Sequence, residues 1–90
     1  MSDSNEETLL EFPCQFPIKM MGRDVERFRH TAVTLIEEYT GKVAEDSIRV
    51  TTSSKGNFLS VTVTITAQSQ QQLDDIYQAL SSHEEILVAL

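Results

Sequence analysis

The chain reads as an α+β sandwich of the ferredoxin-like β-α-β-β-α-β type: a four-stranded antiparallel sheet with two helices on one face. Three observations predict it. Leu59, Val61, Val63 and Ile65 alternate with Ser60, Thr62, Thr64 and Thr66, the period of a strand with one buried and one polar face. Two stretches, Val25 to Tyr39 and Leu73 to Leu80, repeat apolar residues at helical spacing along one side only. The order of the elements is that of a split βαβ unit, which puts both helices on one sheet face and the first and third strands at its centre.

The elements follow in order. Residues 1 to 8 are polar and acidic and have nothing to bury, which predicts a disordered acidic leader; residues 9 to 90 form one domain. Leu9, Leu10 and Phe12, just before Pro13, predict a short extended or one-turn piece packed on the domain. Gln15 to Met21 is the first strand, with Phe16, Ile18 and Met20 on one face. Pro17 donates no ladder bond, so it needs a stretch where its side of the strand is unpaired. Gly22-Arg23-Asp24 interrupts the pattern, and Asp24 suits a helix N-cap. The first helix carries the stripe Val25, Phe28, Ala32, Leu35, Ile36 and Tyr39 and stops at Gly41. Its acid pair Glu37-Glu38 sits late, where the helix dipole disfavours it.

Ser47 to Thr52 is the second strand, with Ile48 and Val50 inward. The turn Lys55-Gly56-Asn57 follows, in which Gly56 and Asn57 both accept a positive φ. Phe58 to Ala67 is the third strand. Ser69 with Gln72 has the pattern of a capping box, and Leu73, Ile76, Tyr77 and Leu80 form the stripe of the second helix. His83-Glu84-Glu85 is a polar turn, and Ile86 to Leu90 is the last strand.

Ninety residues with a formal charge of −7 make a single small domain, which buries only about 60% of the surface its unfolded chain would expose. The acidic balance disfavours phosphate backbones and anionic membrane surfaces, so neither nucleic acid nor membrane is an expected partner. Cys14 is the only cysteine and rules out an intrachain disulfide. With no basic or apolar targeting region at the N-terminus, and no apolar run near the roughly 20 residues of a membrane span, the expected location is the cytoplasm.

Several segments carry a family resemblance. They are Leu10-Glu11-Phe12-Pro13 with Phe16, Met20-Met21-Gly22, Ser53-Ser54-Lys55-Gly56-Asn57-Phe58 with Ser60-Val61, Ile76-Tyr77 with Leu80, and Val88-Ala89-Leu90. On these the chain from Leu9 onward resembles the YbeD-like family of small bacterial proteins. Phe58 stands where a relative is expected to carry Tyr. The resemblance implies a fold similar to ACT regulatory domains, which bind small effectors, often amino acids, at dimer interfaces. No established catalytic activity comes with the resemblance, and no cofactor is expected. Amino-acid-binding ACT domains commonly have an Asp-Arg-Pro-Gly-like loop after the first strand, where this chain has Gly22-Arg23-Asp24-Val25.

Two segments are candidates for binding a ligand or a partner. In Gly22, Arg23 and Asp24, a glycine turn at a helix start would present free N–H groups to an anion, and Arg23 would add a bidentate contact. In Ser53, Ser54, Lys55, Gly56, Asn57 and Phe58, small hydroxyls, a cation and a glycine would shape a phosphate or partner contact; the plainer reading is a solvated hairpin. The polar positions Ser60, Thr62 and Thr64 offer no stacking platform for RNA. His30, His83 and Cys14 have no zinc spacing, and a Cys14–His30 nucleophile pair lacks an orienting motif. Asp74-Asp75 and Glu84-Glu85 read as solvated faces. Ile86 to Leu90 is apolar on both faces and would form an edge, covered either by Leu9 to Phe12 or by a second subunit in a homodimer. The function expected is non-enzymatic: a regulatory or adaptor module for a small-molecule effector or a protein partner, with pure edge-strand pairing as the alternative.

Overall fold

In a computed structural model, which describes residues 10–23, 25–53 and 55–90, the chain runs β1 (Cys14–Arg23), α1 (Phe28–Thr40), a 3-10 turn (Glu45–Ser47), β2 (Ile48–Thr52), β3 (Phe58–Ala67), α2 (Gln70–Ser81) and β4 (Val88–Ala89). The strands pair antiparallel in the order β2-β3-β1-β4. This is the ferredoxin-like arrangement, with β1 and β3 central as the sequence predicts. The acidic leader lies outside the described residues.

The alternation in β3 sends Leu59, Val61, Val63 and Ile65 into the core, where they meet Ile18 and Met20 of β1. Phe28, Ala32 and Ile36 of α1 and Leu73, Ile76 and Leu80 of α2 close over them. Pro17 is explained by the pairing. Lys19 exchanges both backbone bonds with Leu90, its N–H donating at 3.1 Å and its carbonyl accepting at 2.8 Å. Strand N–H groups alternate sides, so Pro17 faces the same way as Lys19, past Leu90, where no described strand needs its missing donor.

Local signals account for most boundaries. The Ser69 hydroxyl accepts from the Gln72 N–H at 3.1 Å, as a capping box requires. The return bond differs: the Gln72 side chain accepts from the Gln68 N–H, not from that of Ser69. Gly41, at φ 83°, ends α1. Glu37 has a structural role after all, since its carboxylate accepts from the Val43 N–H at 2.9 Å and closes the loop beyond the helix.

The boundaries and burial of several elements differ from expectation. Helix α1 starts at Phe28 with Arg27 as N-cap, not at Val25 with Asp24; Asp24 itself lies outside the described residues. Val25 is exposed, in a turn closed by the Phe28 N–H on the Val25 carbonyl at 3.0 Å. Tyr39 is also exposed, so the buried stripe ends at Ile36. On β2, Val50 faces inward opposite Val61 but stays exposed because it sits on an edge strand. Only Val88–Ala89 is assigned to β4, although Leu87 also donates to the Met21 carbonyl at 2.8 Å. The Tyr77 hydroxyl donates to the Leu90 carbonyl at 2.7 Å and ties down the chain beyond β4, and burial pushes its pKa up.

Candidate functional site

In this topology the β1–α1 connection, the β2–β3 hairpin and the α2–β4 turn all open at one end of the sheet. Gly22 is not a turn residue there. It lies within β1 opposite Leu59 and is buried. Its lack of a side chain is needed for close approach: a Cβ there would run into the Phe28 ring and sit 2.6 Å from the Glu85 carbonyl oxygen. Because the strand continues to Arg23 and the helix begins only at Phe28, Gly22 does not stand at a helix start, and Asp24 lies outside the described residues.

Arg23 ends β1 on the outward face, exposed and directly opposite Phe58. The two sequence candidates, far apart along the chain, therefore meet. The hairpin between β2 and β3 is closed by Ser53. Its N–H donates to the Phe58 carbonyl and its carbonyl accepts from the Gly56 N–H, both at 2.9 Å. Its hydroxyl accepts from the N–H groups of Asn57 at 3.2 Å and Phe58 at 3.3 Å, so Ser53 is a closure residue. Gly56 has a positive φ, at 71°, and Asn57 does not. Lys55, Gly56 and Asn57 are exposed, and Ser54 lies outside the described residues. A hollow of about 210 Å³ on the outer face is lined by Lys19, Met21, Thr51, Ser53, Phe58 and Ser60 among others.

Arg23 also borders a second hollow, of about 290 Å³, with Val25, Arg27, Phe28, Glu84, Glu85 and Leu87. Glu85 is not a solvated carboxylate. Its Oε2 accepts from Arg27 Nε at 2.8 Å and lies 2.7 Å from Nη2, while its Oε1 is buried without a partner. The hydrogen bond from Arg27 holds the Glu85 carboxyl below the usual range, against the opposing push of burial. His83 Nδ1 accepts from the Glu85 N–H at 3.1 Å and shapes the turn. The Arg27–Glu85 pair had no local signal; the residues are separated by 58 positions.

With this geometry in place, the chain can be set beside known proteins. Residues 7–90 match the family described as protein of unknown function, DUF493. The chain belongs to this family. DUF493 relatives include a UPF0250 protein of Paraburkholderia phytofirmans, 44% identical over the full length of both chains. A UPF0250 protein of Nitrosomonas europaea is 39% identical over 94% of this chain and 98% of its own. The solution structure of protein HP0495 from H. pylori covers all of this chain and 94% of its own with a TM-score of 0.70 at 17% identity, a likeness of fold. The YbeD-like resemblance read from the sequence is thereby borne out.

The remaining candidates in this DUF493 chain do not assemble into a catalytic or metal site. Cys14 starts β1, whereas His30 lies in the first turn of α1, whose first residue Phe28 packs on Gly22 near the other end of that strand. At roughly 3.3 Å per residue, the strand between Cys14 and Gly22 spans about 26 Å, which keeps the two side chains at opposite ends of the sheet. His30 lies 3.4 Å from the Thr34 hydroxyl. Among the described residues no three His, Cys, Asp or Glu side chains gather as a metal site, and no helix is long and apolar enough to cross a membrane.

Proposed function

We propose that this chain is a non-enzymatic regulatory or adaptor module that recognises its ligand at the Arg23–Phe58 end of the sheet. The observation that supports this reading is the cross-strand pairing of an exposed guanidinium with an exposed aromatic ring, with hollows on either side. Such a pair suits a small anion that also has a flat or apolar part: Arg23 meets the charge and Phe58 the body. Amide nitrogen–proton spectra titrated with pooled amino acids, other carboxylic acids and nucleotides test it. Saturable shifts are expected at Gly22, Arg23 and 55–58. Arg23→Gln should then weaken binding by roughly tenfold or more, the usual loss of a charged hydrogen bond. A spectrum unmoved by every compound sinks the small-ligand reading.

A second reading is favoured by the edge. Among the described residues nothing pairs with the outer side of β4: Phe12 packs against the core, and Leu10 is exposed. Leu87, Val88 and Leu90 are 50%, 43% and 65% exposed there. Open apolar edges invite strand addition, by a second copy or by a partner. If the edge pairs two copies, sedimentation equilibrium gives a dimer mass, and Val88→Lys returns it to the monomer mass. A monomer at high concentration removes the homodimer.

A further inference from the structure

The four strands contain no aspartate or glutamate, although the chain has fourteen acidic residues against seven basic ones. Three of the cations, Lys19, Arg23 and Arg49, stand on the outward face of the sheet, the one the helices leave bare. The register sets their spacing. Arg49 and Lys19 flank Thr62 from either side, which puts them two strand spacings apart, about 10 Å. Arg23 is four residues beyond Lys19 on the same strand, roughly 13 Å away.

None of the three is paired with a carboxylate among the described residues; the ion pairs belong to Arg27 and Arg29. Between the cations lie Thr62, Ser60 and Met21, with Phe58 38% and Val88 43% exposed at the margins. A solvated face that served only solubility would mix both signs of charge. A single-sign face on an oppositely charged molecule instead orients an incoming partner, and it does so within the roughly 8 Å over which salt leaves the field effective.

We propose that this outward sheet face is a docking surface for an acidic segment of a partner protein, with carboxylates on Lys19, Arg23 and Arg49 and apolar side chains against Met21, Phe58 and Val88. Nucleic acid fits less well. Three cations neutralise few phosphates, a net charge of −7 repels the rest of a polyanion, and among the described residues Phe58 is the only exposed aromatic on the face. The inference rests on the binding-module reading and extends the recognition surface beyond its Arg23–Phe58 end, across the central strands.

The full chain, labelled with nitrogen-15, is titrated with four probes: an alternating Glu–Leu peptide, the matching Lys–Leu peptide, oligouridylate and free glutamate. The Glu–Leu peptide is expected to give saturable shifts at Lys19, Arg49, Ser60 and Thr62, weakening steeply with added salt. The double variant Lys19→Glu, Arg49→Glu should lower that affinity by about tenfold or more while its spectrum stays dispersed, because both positions are exposed. Equal binding of the Lys–Leu peptide, tighter binding of oligouridylate, or unchanged affinity in a folded double variant each overturns the proposal. If free glutamate or another small anion shifts Arg23 and Phe58 while the acidic peptide shifts nothing along Lys19 and Arg49, the docking surface falls and the module reading stands. If no probe or small compound shifts either region, both fall.

Discussion

Gly22→Ala is expected to destabilise the domain by about 3 kcal/mol, the scale of overpacking in a core that cannot yield. For a domain of this size that lowers the melting temperature by roughly 15 °C. The added methyl would meet the Phe28 ring, whose Cδ1 lies 2.7 Å from the Cβ position, and the Glu85 carbonyl oxygen at 2.6 Å. Neither neighbour is the loose end of a flexible side chain. Phe28 is 1% exposed, and the Glu85 oxygen is backbone in the turn that leads into β4. The gain from stiffening the unfolded chain, about 0.4–1 kcal/mol for Gly→Ala, is too small to offset this. Gly56→Ala is the contrasting control: nothing lies within 4 Å of its Cβ position and only its φ of 71° is at stake, a cost of about 1–2 kcal/mol. Equilibrium denaturation of both variants checks the ranking. A Gly22→Ala loss below about 0.5 kcal/mol would mean that the strand end and the α2–β4 turn slide apart freely, and that Gly22 is not needed for packing.

The same residue shows where the sequence was legible and where it was not. Strand β3 and the Ser69 cap are written locally: period-two alternation and a hydroxyl three residues before a glutamine need no knowledge of the rest of the fold. Gly22 differs: glycine after an apolar run is a sound turn signal when only neighbours in sequence are considered. Its actual cause lies in Phe28 and Glu85, one of them 63 positions on by the numbering, and no local pattern contains them. The late helix start follows from the same error, since a strand that runs on to Arg23 pushes the helix downstream.

Glu85 reads as solvated for a similar reason: beside His83 and Glu84 it looks like part of a polar turn, and its partner Arg27 sits on another connection. The fold itself held the missing information. Once the order β2-β3-β1-β4 is assumed, the β1–α1 connection, the hairpin and the α2–β4 turn must share one end, so Arg23, Phe58 and Glu85 could have been placed together. The absence of acid from all four strands was also visible, but it gains meaning only when the register shows which of those positions face outward.

Phe28→Ala is expected to cost about 3–5 kcal/mol, the range for removing a buried phenyl ring. A domain of this length is stable by roughly 5–13 kcal/mol, so the variant loses roughly a quarter or more of that and melts early. The ring is buried against Gly22 yet also lines the hollow of about 290 Å³ bounded by Arg23, Arg27 and Glu85. Deleting it is expected to open that hollow toward the core that Phe28 now closes. The decisive measurement is the double variant. With the ring gone, the methyl of Gly22→Ala loses its closest obstacle and keeps only the Glu85 carbonyl, so its cost should fall by about 1–2 kcal/mol relative to the wild-type background, a coupling typical of residues in contact. Additivity within about 0.5 kcal/mol would place the whole obstruction at the Glu85 carbonyl and remove the ring from the account. A measured coupling would instead show that one packing contact fixes the strand end, the helix start and the α2–β4 turn together, and so holds Arg23 opposite Phe58 at the proposed site.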